Sequence, residues 1–320
     1  LSNTSCPLVT DLDILLSLCG CGDSRAWAEG HLDPDRPADR RRDVAGMSPA
    51  RADPVEDFYG GKRITLVVGY GVGGGYDLYS RMFARHLGDH LPGKPDVIAQ
   101  NMPGAGSRRA ANWLYNAAPR AGAVGATLAQ TAPLDQALGE PRVQFDVRQF
   151  HWIGNFAVVN NTLTLWHATG VGTLEEAIGK ELAIGATGAS SPSVLYPQLA
   201  NNLFGTRFKI ITGYRGGGDI NLAMERGEVD GRGSNSWSSW KSTKADWVRD
   251  RKINVLFQVG PRREIDLPDV PLLTDFARTA AQRQVLEALS GDVAVGRPMV
   301  APPGVPKERV EALRKTFDAT

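Results

Sequence analysis

A short apolar strand, a turn of small residues and a helix follow one another three times in this chain, and this repeated unit constrains the fold most. The three turns lie at 69–77, 185–193 and 213–219. The first reads GYGVGGGYD and follows the apolar run 64–68. Strands that alternate with helices predict parallel sheets of the α/β class. In such sheets ligands bind at the carboxyl ends of the strands, where these turns collect.

The small-residue turns also indicate what kind of ligand would bind. Backbone N–H groups at the N-terminus of a helix are free, and the helix dipole favours negative charge there. Glycine and serine let the backbone approach a ligand closely. For any single turn, chain reversal alone is an equally good explanation. Three such turns together favour an anion held between two lobes.

Apolar periodicity predicts the other elements of the fold. Strands are predicted at 64–69, 97–99, 126–130, 152–156, 161–166, 182–185, 208–212 and 253–259, and helices at 77–91, 107–118, 194–204 and 220–226. Thr173 and Glu176 have the spacing of a capping box and predict the start of one more helix.

Charge and cysteine content argue against several classes of protein. The 320 residues carry a formal net charge of +1, which gives no electrostatic reason to expect nucleic acid or an anionic membrane surface as a partner. All three cysteines lie in the first 21 residues, so the rest of the chain suits an oxidising compartment. No stretch approaches the roughly 18 apolar residues that a membrane span needs.

The N-terminal segment differs from the rest of the chain. It is polar and rich in proline, and it lacks apolar periodicity. Residues 48–52 end in the A-x-A pattern that signal peptidase reads, although no apolar segment precedes them. We therefore expect residues 1–57 to be an atypical export leader that is disordered up to about residue 52.

Nucleotide binding, metal binding and catalysis each lack a complete motif. A dinucleotide fingerprint in the first turn needs glycine or alanine where the chain has Tyr76, and no Gly-Lys-Ser/Thr triplet follows a glycine cluster. His86 and His90 are spaced i,i+4 but lack the glutamate of a zinc motif, so a solvated helix face is the better interpretation. Ser190 and Ser191 have no evident histidine partner. The sequence predicts no cofactor, no metal and no enzyme activity.

Six segments, in order, resemble the periplasmic substrate-binding receptors of tripartite tricarboxylate transporters, the Bug-type proteins. The resemblance covers residues 58–320. The segments are GGYD at 74–77, NMPGAG at 101–106, GATGASS at 185–191, GYRGG at 213–217, LPDVP at 267–271 and APPGVP at 301–306.

The resemblance implies a two-lobed α/β fold of the Venus-flytrap type, type II-like, with two crossover strands. Lobe 1 would comprise 58–157 and 259–320, and lobe 2 would comprise 158–258. Such a receptor is periplasmic and monomeric, closes on a small carboxylate or related molecule, and delivers it to membrane subunits of a tripartite tricarboxylate transporter. It binds no nucleic acid.

Both lines of reasoning place the binding site on the turns that face each other across the cleft. Backbone N–H groups of the turns would hold the carboxylate oxygens, and Asp77 would shape its turn rather than touch the anion. The candidate binding residues are Tyr70, Gly73, Gly74, Gly75, Asp77, Asn101, Gly104, Ala105, Thr187, Gly188, Ala189, Ser190, Ser191, Tyr214, Arg215, Gly216 and Asn235.

Some alternatives stay open in the sequence. Arg215 stands where the family has lysine and would grip a carboxylate bidentately, whereas Asp219 would either pair with Arg215 or recognise an ammonium group. The tryptophans at 237, 240 and 247 would either line a pocket or pack between the lobes. An α/β enzyme acting on a small anionic substrate, or a ligand-sensing module, would use the same architecture. An enzyme would turn its ligand over, whereas a receptor would release it unaltered.

Overall fold

The computed structural model describes residues 53–158 and 160–320, which form two five-stranded β-sheets with helices packed on them. The strands are β1 Arg63–Val68, β2 Asp96–Asn101, β3 Val124–Thr127, β4 His151–Asn155, β5 Asn161–Trp166, β6 Glu181–Gly185, β7 Arg207–Ile211, β8 Gly231–Ser236, β9 Ile253–Val259 and β10 Pro298–Ala301. The first sheet has the order β2-β1-β3-β10-β4 and the second the order β7-β6-β8-β5-β9. We call the parts of the chain built on these sheets lobe 1 and lobe 2.

The helices connect and cover the two sheets. They are α1 Pro54–Tyr59, α2 Gly75–His90, α3 Arg108–Asn116, α4 Ala132–Ala137, α5 Leu174–Ala177, α6 Pro192–Phe204, α7 Gly217–Glu225, α8 Trp237–Thr243, α9 Ala245–Arg249, α10 Ala280–Ser290, α11 Asp292–Val295 and α12 Lys307–Ala319. In each lobe the strand–turn–helix units form parallel pairs, β1 with β2 and with β3 in lobe 1, and β6 with β7 and with β8 in lobe 2. The predicted two-lobed α/β fold is confirmed.

Local sequence explains why several of these elements begin where they do. The Thr173 hydroxyl accepts the N–H of Glu176 at 3.2 Å, which confirms the predicted helix start. The Glu176 carboxylate in turn accepts the N–H of Gly172 at 2.7 Å. Helix α6 begins at Pro192, because proline at the first helical position leaves no hydrogen bond unmade. The turn that follows the carboxyl end of β6 therefore ends where α6 begins, at Pro192.

Packing differs from the predicted lobe boundaries in two places. Val55 and Tyr59 of α1 are buried in the core of lobe 1, so the folded part of the chain begins before residue 58. Leu273, Leu286 and Val293 belong to the core of lobe 2 and not to lobe 1. The predicted boundary at 259 was too early because the chain returns to lobe 1 only near residue 297. Residues 1–52, the rest of the predicted leader, lie outside the described residues.

Two segments connect the lobes and run side by side. The first follows β4 and leads into β5, and the second leads from α11 into β10. The N–H of Phe156 donates to the carbonyl of Arg297 at 3.1 Å, and the N–H of Arg297 donates to the carbonyl of Ala157 at 3.2 Å. The Asn155 side chain also accepts the Arg297 N–H, at 2.8 Å. The two connections are therefore tied to each other at the edge of the cleft.

Within residues 53–158 and 160–320, no helix is both long and apolar enough to cross a membrane.

Candidate functional site

The three small-residue turns meet in one cavity between the lobes. Its walls include Tyr70, Gly74 and Gly75 from the first turn, Thr187 and Ser191 from the second, and Gly217 from the third. The cavity volume is about 70 Å³. A water molecule needs roughly 10–15 Å³ by this measure, so the cavity holds about five waters or one small molecule.

The lobes touch each other around this cavity through backbone atoms. The N–H of Gly71 in lobe 1 donates to the carbonyl of Arg215 in lobe 2 at 2.8 Å. A β-carbon added at Gly188 in lobe 2 would lie 2.6 Å from the backbone nitrogen of Gly106 in lobe 1. Gly106 has φ +67°, a left-handed conformation that glycine adopts without strain. Only small residues permit this approach, and the structure shows the cleft closed.

Two helices begin at the cavity, one from each lobe. Helix α2 has 16 residues and begins at Gly75, and helix α7 has 9 residues and begins at Gly217. Both first residues line the cavity. A β-carbon added at Gly74 would lie 3.4 Å from the backbone nitrogen of Gly217, so the two N-termini are neighbours. Their free N–H groups and dipoles favour negative charge between them.

Arg232 of β8 lines the cavity and is 9% exposed. Its Nε donates to the carbonyl of Ser234 at 3.0 Å, and its Nη1 donates to the Asn221 side chain at 3.1 Å. The guanidinium carbon lies 5.4 Å from the centre of the Trp240 ring. Burial lowers the pKa of Arg232 to about 9; Tyr70 opposes this shift and the charge of Arg297 adds to it, and Arg232 is still a cation at neutral pH.

Arg297 lies on the second connection between the lobes, lines the cavity and is 4% exposed. Its Nη2 donates to the hydroxyl of Ser239 at 2.6 Å and also to that of Ser236, both in lobe 2. Its guanidinium carbon lies 4.4 Å from the centre of the Tyr79 ring of α2. This side chain therefore links the connection to both lobes.

A buried amide adds a free donor to the cavity. Asn235 of β8 lines it and is 5% exposed. In the part of the chain that the structure describes, its Nδ2 has no hydrogen-bond partner. A buried donor without a partner is costly. An acceptor atom on a guest in the cavity would satisfy it.

Comparison with known proteins agrees with the two-lobed fold. No family model matches the chain. A protein of Cupriavidus necator described as "UPF0065 protein in gbd 5'region" is 26% identical over 280 residues, which are 85% of this chain and 78% of that protein. The solved structure of the periplasmic binding protein BugD is 19% identical, has a TM-score of 0.63 and is matched over 81% of this chain and 82% of its own.

Two further solved structures contain ligands. The R. palustris protein Rpa4515 with adipate is 20% identical with a TM-score of 0.63, over 81% of this chain and 82% of its own. MatC from Rhodopseudomonas palustris with bound malate is 19% identical with a TM-score of 0.61, over 81% of this chain and 84% of its own. This chain has the fold of a Bug-type periplasmic binding protein. The resemblance predicted from the six motifs is confirmed in that fold.

The sequence analysis of this Bug-type fold found only part of the cavity wall. Of the candidate residues, those that line the cavity are Tyr70, Gly74, Gly75, Thr187, Ser191 and Asn235. Those outside its walls are Gly73, Asp77, Asn101, Gly104, Ala105, Gly188, Ala189, Ser190, Tyr214, Arg215 and Gly216. Most of the second group belong to the same turns but face the contact between the lobes or solvent.

Asp77 and Arg215 illustrate why residues of the right turns lie outside the cavity. The Asp77 carboxylate accepts the N–H of Gly73 at 3.0 Å and the side chains of Arg81 and Asn101, so it shapes its turn, as the sequence suggested. Arg215 is exposed and pairs with Asp219 at 2.9 Å. Of the two alternatives for Asp219, the structure shows the pair with Arg215.

Sequence reasoning missed both buried arginines. Arg232 stands in GRGSNS, a segment without apolar residues that gives no strand signal, and Arg297 precedes Pro298 in an apparent loop. An arginine between two glycines directly before the predicted tryptophan cluster was the available clue. The tryptophans themselves, Trp237, Trp240 and Trp247, form an apolar cluster within lobe 2.

Asp135 gives the Bug-type fold a measurable pH dependence. Burial raises the pKa of Asp135 to about 7, although a hydrogen bond with Ser190 and the charge of Arg108 oppose this shift. Between about pH 4 and pH 7 the folded chain therefore binds a proton that the unfolded chain lacks, and the free energy of unfolding falls as pH rises. Asp292, whose pKa burial raises to about 6, acts in the same direction.

We expect the free energy of unfolding of Asp135→Asn to fall less with rising pH than that of the wild type, most clearly between pH 6 and pH 7. Urea unfolding at pH 5, 6, 7 and 8 measures it, with Asp318→Asn as the control because Asp318 is an exposed residue near the end of α12. Equal pH slopes for Asp135→Asn and the wild type would contradict the assignment.

Proposed function

We propose that this protein is a periplasmic receptor that binds a small carboxylate in the cavity between its lobes and delivers it to a tripartite tricarboxylate-type membrane transporter. The observation that carries the proposal is a pair of buried guanidinium groups facing a cavity that both lobes close. We propose that it acts as a monomer, as the family resemblance implies. The similar proteins solved with adipate and with malate support a carboxylate as the guest.

Electrostatics favours an anionic guest. A buried charge is expensive unless it is paired and hydrogen-bonded. A carboxylate placed between the N-termini of α2 and α7 accepts backbone N–H groups and approaches Arg232 and Arg297. Charge-assisted hydrogen bonds contribute about 1.5–3 kcal/mol each. Four or five of them, less the cost of association and closure, correspond to roughly micromolar affinity.

The composition of the cavity wall favours binding over catalysis. Among the described residues that line it there is no histidine, cysteine, aspartate or glutamate. The hydroxyls of Ser191 and Ser193 lie 2.5 Å apart and bond to each other, without a general base beside them. A nucleophile needs such a base to be activated. The wall therefore provides donors for an anion and no group that would attack it.

A thermal-shift screen of the purified chain tests the proposal. The panel contains mono-, di- and tricarboxylates, amino acids and amides. We expect a subset of carboxylates to stabilise the protein, by about 2.7 kcal/mol at one hundred times the dissociation constant. NMR of the recovered ligand should show it unaltered. Stabilisation by no carboxylate, or conversion of the ligand, would refute the receptor function.

A further inference from the structure

The cavity contains two positive charges that the protein itself does not neutralise. Arginines elsewhere in the described residues, such as Arg81, Arg108 and Arg215, pair with carboxylates. No ion pair of the described residues includes Arg232 or Arg297. Their hydrogen-bond acceptors are carbonyl, amide and hydroxyl oxygens, which carry no charge.

The acidic groups nearest this region are engaged elsewhere. The Asp292 carboxylate accepts Gln130 Nε2 at 3.0 Å and the Tyr196 hydroxyl at 2.9 Å, so two neutral side chains cover it. The buried Asp77 is bonded to Arg81 and Asn101 and does not line the cavity. The cavity wall itself has a net charge of two positive units.

Both guanidinium groups lie at the place where the two helices begin. A β-carbon added at Gly75 would lie 3.0 Å from Nη2 of Arg297, and one added at Gly217 would overlap the guanidinium of Arg232. Gly74 is in contact with Gly217, which brings these two places together. The charge of Arg297 also lowers the pKa of Arg232, as expected for near neighbours. Two cations and two helix N-termini therefore face the same part of the cavity.

We propose that the guest is a compact dianion, with one negative charge for Arg232 and one for Arg297, and that these two arginines select it. This inference rests on the proposed function. A monocarboxylate leaves one buried guanidinium unpaired, which costs affinity. The small cavity volume limits the spacing of the two charges, so a dicarboxylate of three or four carbons fits better than a long one.

Calorimetric titration of the full chain tests the charge count. Malonate and succinate are compared with propionate and butyrate, which match them in carbon number but carry one charge, and with adipate, which is longer. We expect malonate or succinate to bind at least a hundredfold more tightly than its monocarboxylate match, and more tightly than adipate. In the Arg232→Gln and Arg297→Gln variants, the ratio of the dissociation constant of the monocarboxylate to that of the matching dicarboxylate should fall below ten.

Arg215→Gln is the matched control, because Arg215 is exposed, pairs with Asp219 and lies outside the cavity wall. It should keep the wild-type ratio. A wild-type ratio near one, or an unchanged ratio in both buried-arginine variants, overturns the inference. If a variant does not fold, the ratio measured for the wild type decides the outcome by itself. If propionate binds as tightly as malonate, only the inference of a dianionic guest is overturned. If no carboxylate binds, the proposed function is overturned as well.

Discussion

Gly188→Val is expected to weaken ligand binding by roughly tenfold to a hundredfold without unfolding either lobe. A β-carbon at this position would lie 2.6 Å from the nitrogen of Gly106 and 2.8 Å from the carbonyl carbon of Ala105, both backbone atoms of the opposite lobe. Backbone cannot rotate away as a side chain does, so the lobes must separate. Overpacking costs typically 1–3 kcal/mol, and each 1.4 kcal/mol is about a tenfold change in affinity.

The measurements are ligand titration and small-angle X-ray scattering with ligand present. The variant should keep the larger radius of gyration of an open molecule at ligand concentrations that close the wild type. Gly172→Val is the control in the same lobe, because the nearest atom to its β-carbon would be the flexible Glu176 carboxylate at 3.6 Å. Equal affinity of Gly188→Val and wild type would show that closure does not need this contact.

Trp240→Ala is expected to lower the free energy of unfolding by about 3–5 kcal/mol, the usual cost of emptying a large buried aromatic site. The Trp240 side chain is fully buried, and its ring centre lies 5.8 Å from that of Trp247. Its indole N–H donates to the Thr162 hydroxyl at 3.1 Å, and Thr162 donates to the carbonyl of Asn235 at 3.0 Å. Removal of the indole therefore also removes support from β8, the strand that carries Arg232. We expect ligand binding to weaken as well.

Urea unfolding measures the stability effect, and titration of the folded variant measures the binding effect. Trp240→Phe is the matched control, because it keeps most of the aromatic volume while it loses the indole N–H and part of the ring system, so we expect a smaller loss of about 1–2 kcal/mol. A loss below about 1 kcal/mol for Trp240→Ala would mean that the aromatic cluster does not stabilise lobe 2.

The repeated units were predictable because their signals are local. An apolar run, small residues and a helical period follow one another within about 20 residues, so β1, β6 and β7 lie within one or two residues of their predicted bounds. The small residues in this pattern also predict that each strand is followed by a turn. The second and third turns lie close together because β6 and β7 are parallel neighbours, whose carboxyl ends share one edge of the sheet. The first turn joins them only because the two lobes meet.

The missed features depend on contacts between distant parts of the chain. Strand β8 is buried at all six positions, yet its sequence GRGSNS contains none of the β-branched apolar residues that mark a strand. It forms because β5 and β6 pair with it on either side. Arg232 and Arg297 are 65 positions apart in the sequence, and no local pattern shows that both will face one cavity. For the same reason the return of the chain to lobe 1 was placed too early.

The position of Arg297 on a connection between the lobes has a consequence for the empty molecule. In the closed cleft without a guest, this cation and Arg232 line one buried cavity without a counter-charge, and we expect their repulsion to favour opening. A guest that neutralises both charges removes the repulsion and leaves the shut form as the stable one. In the receptor that we propose, membrane subunits that recognise the shut form would then meet mainly loaded molecules.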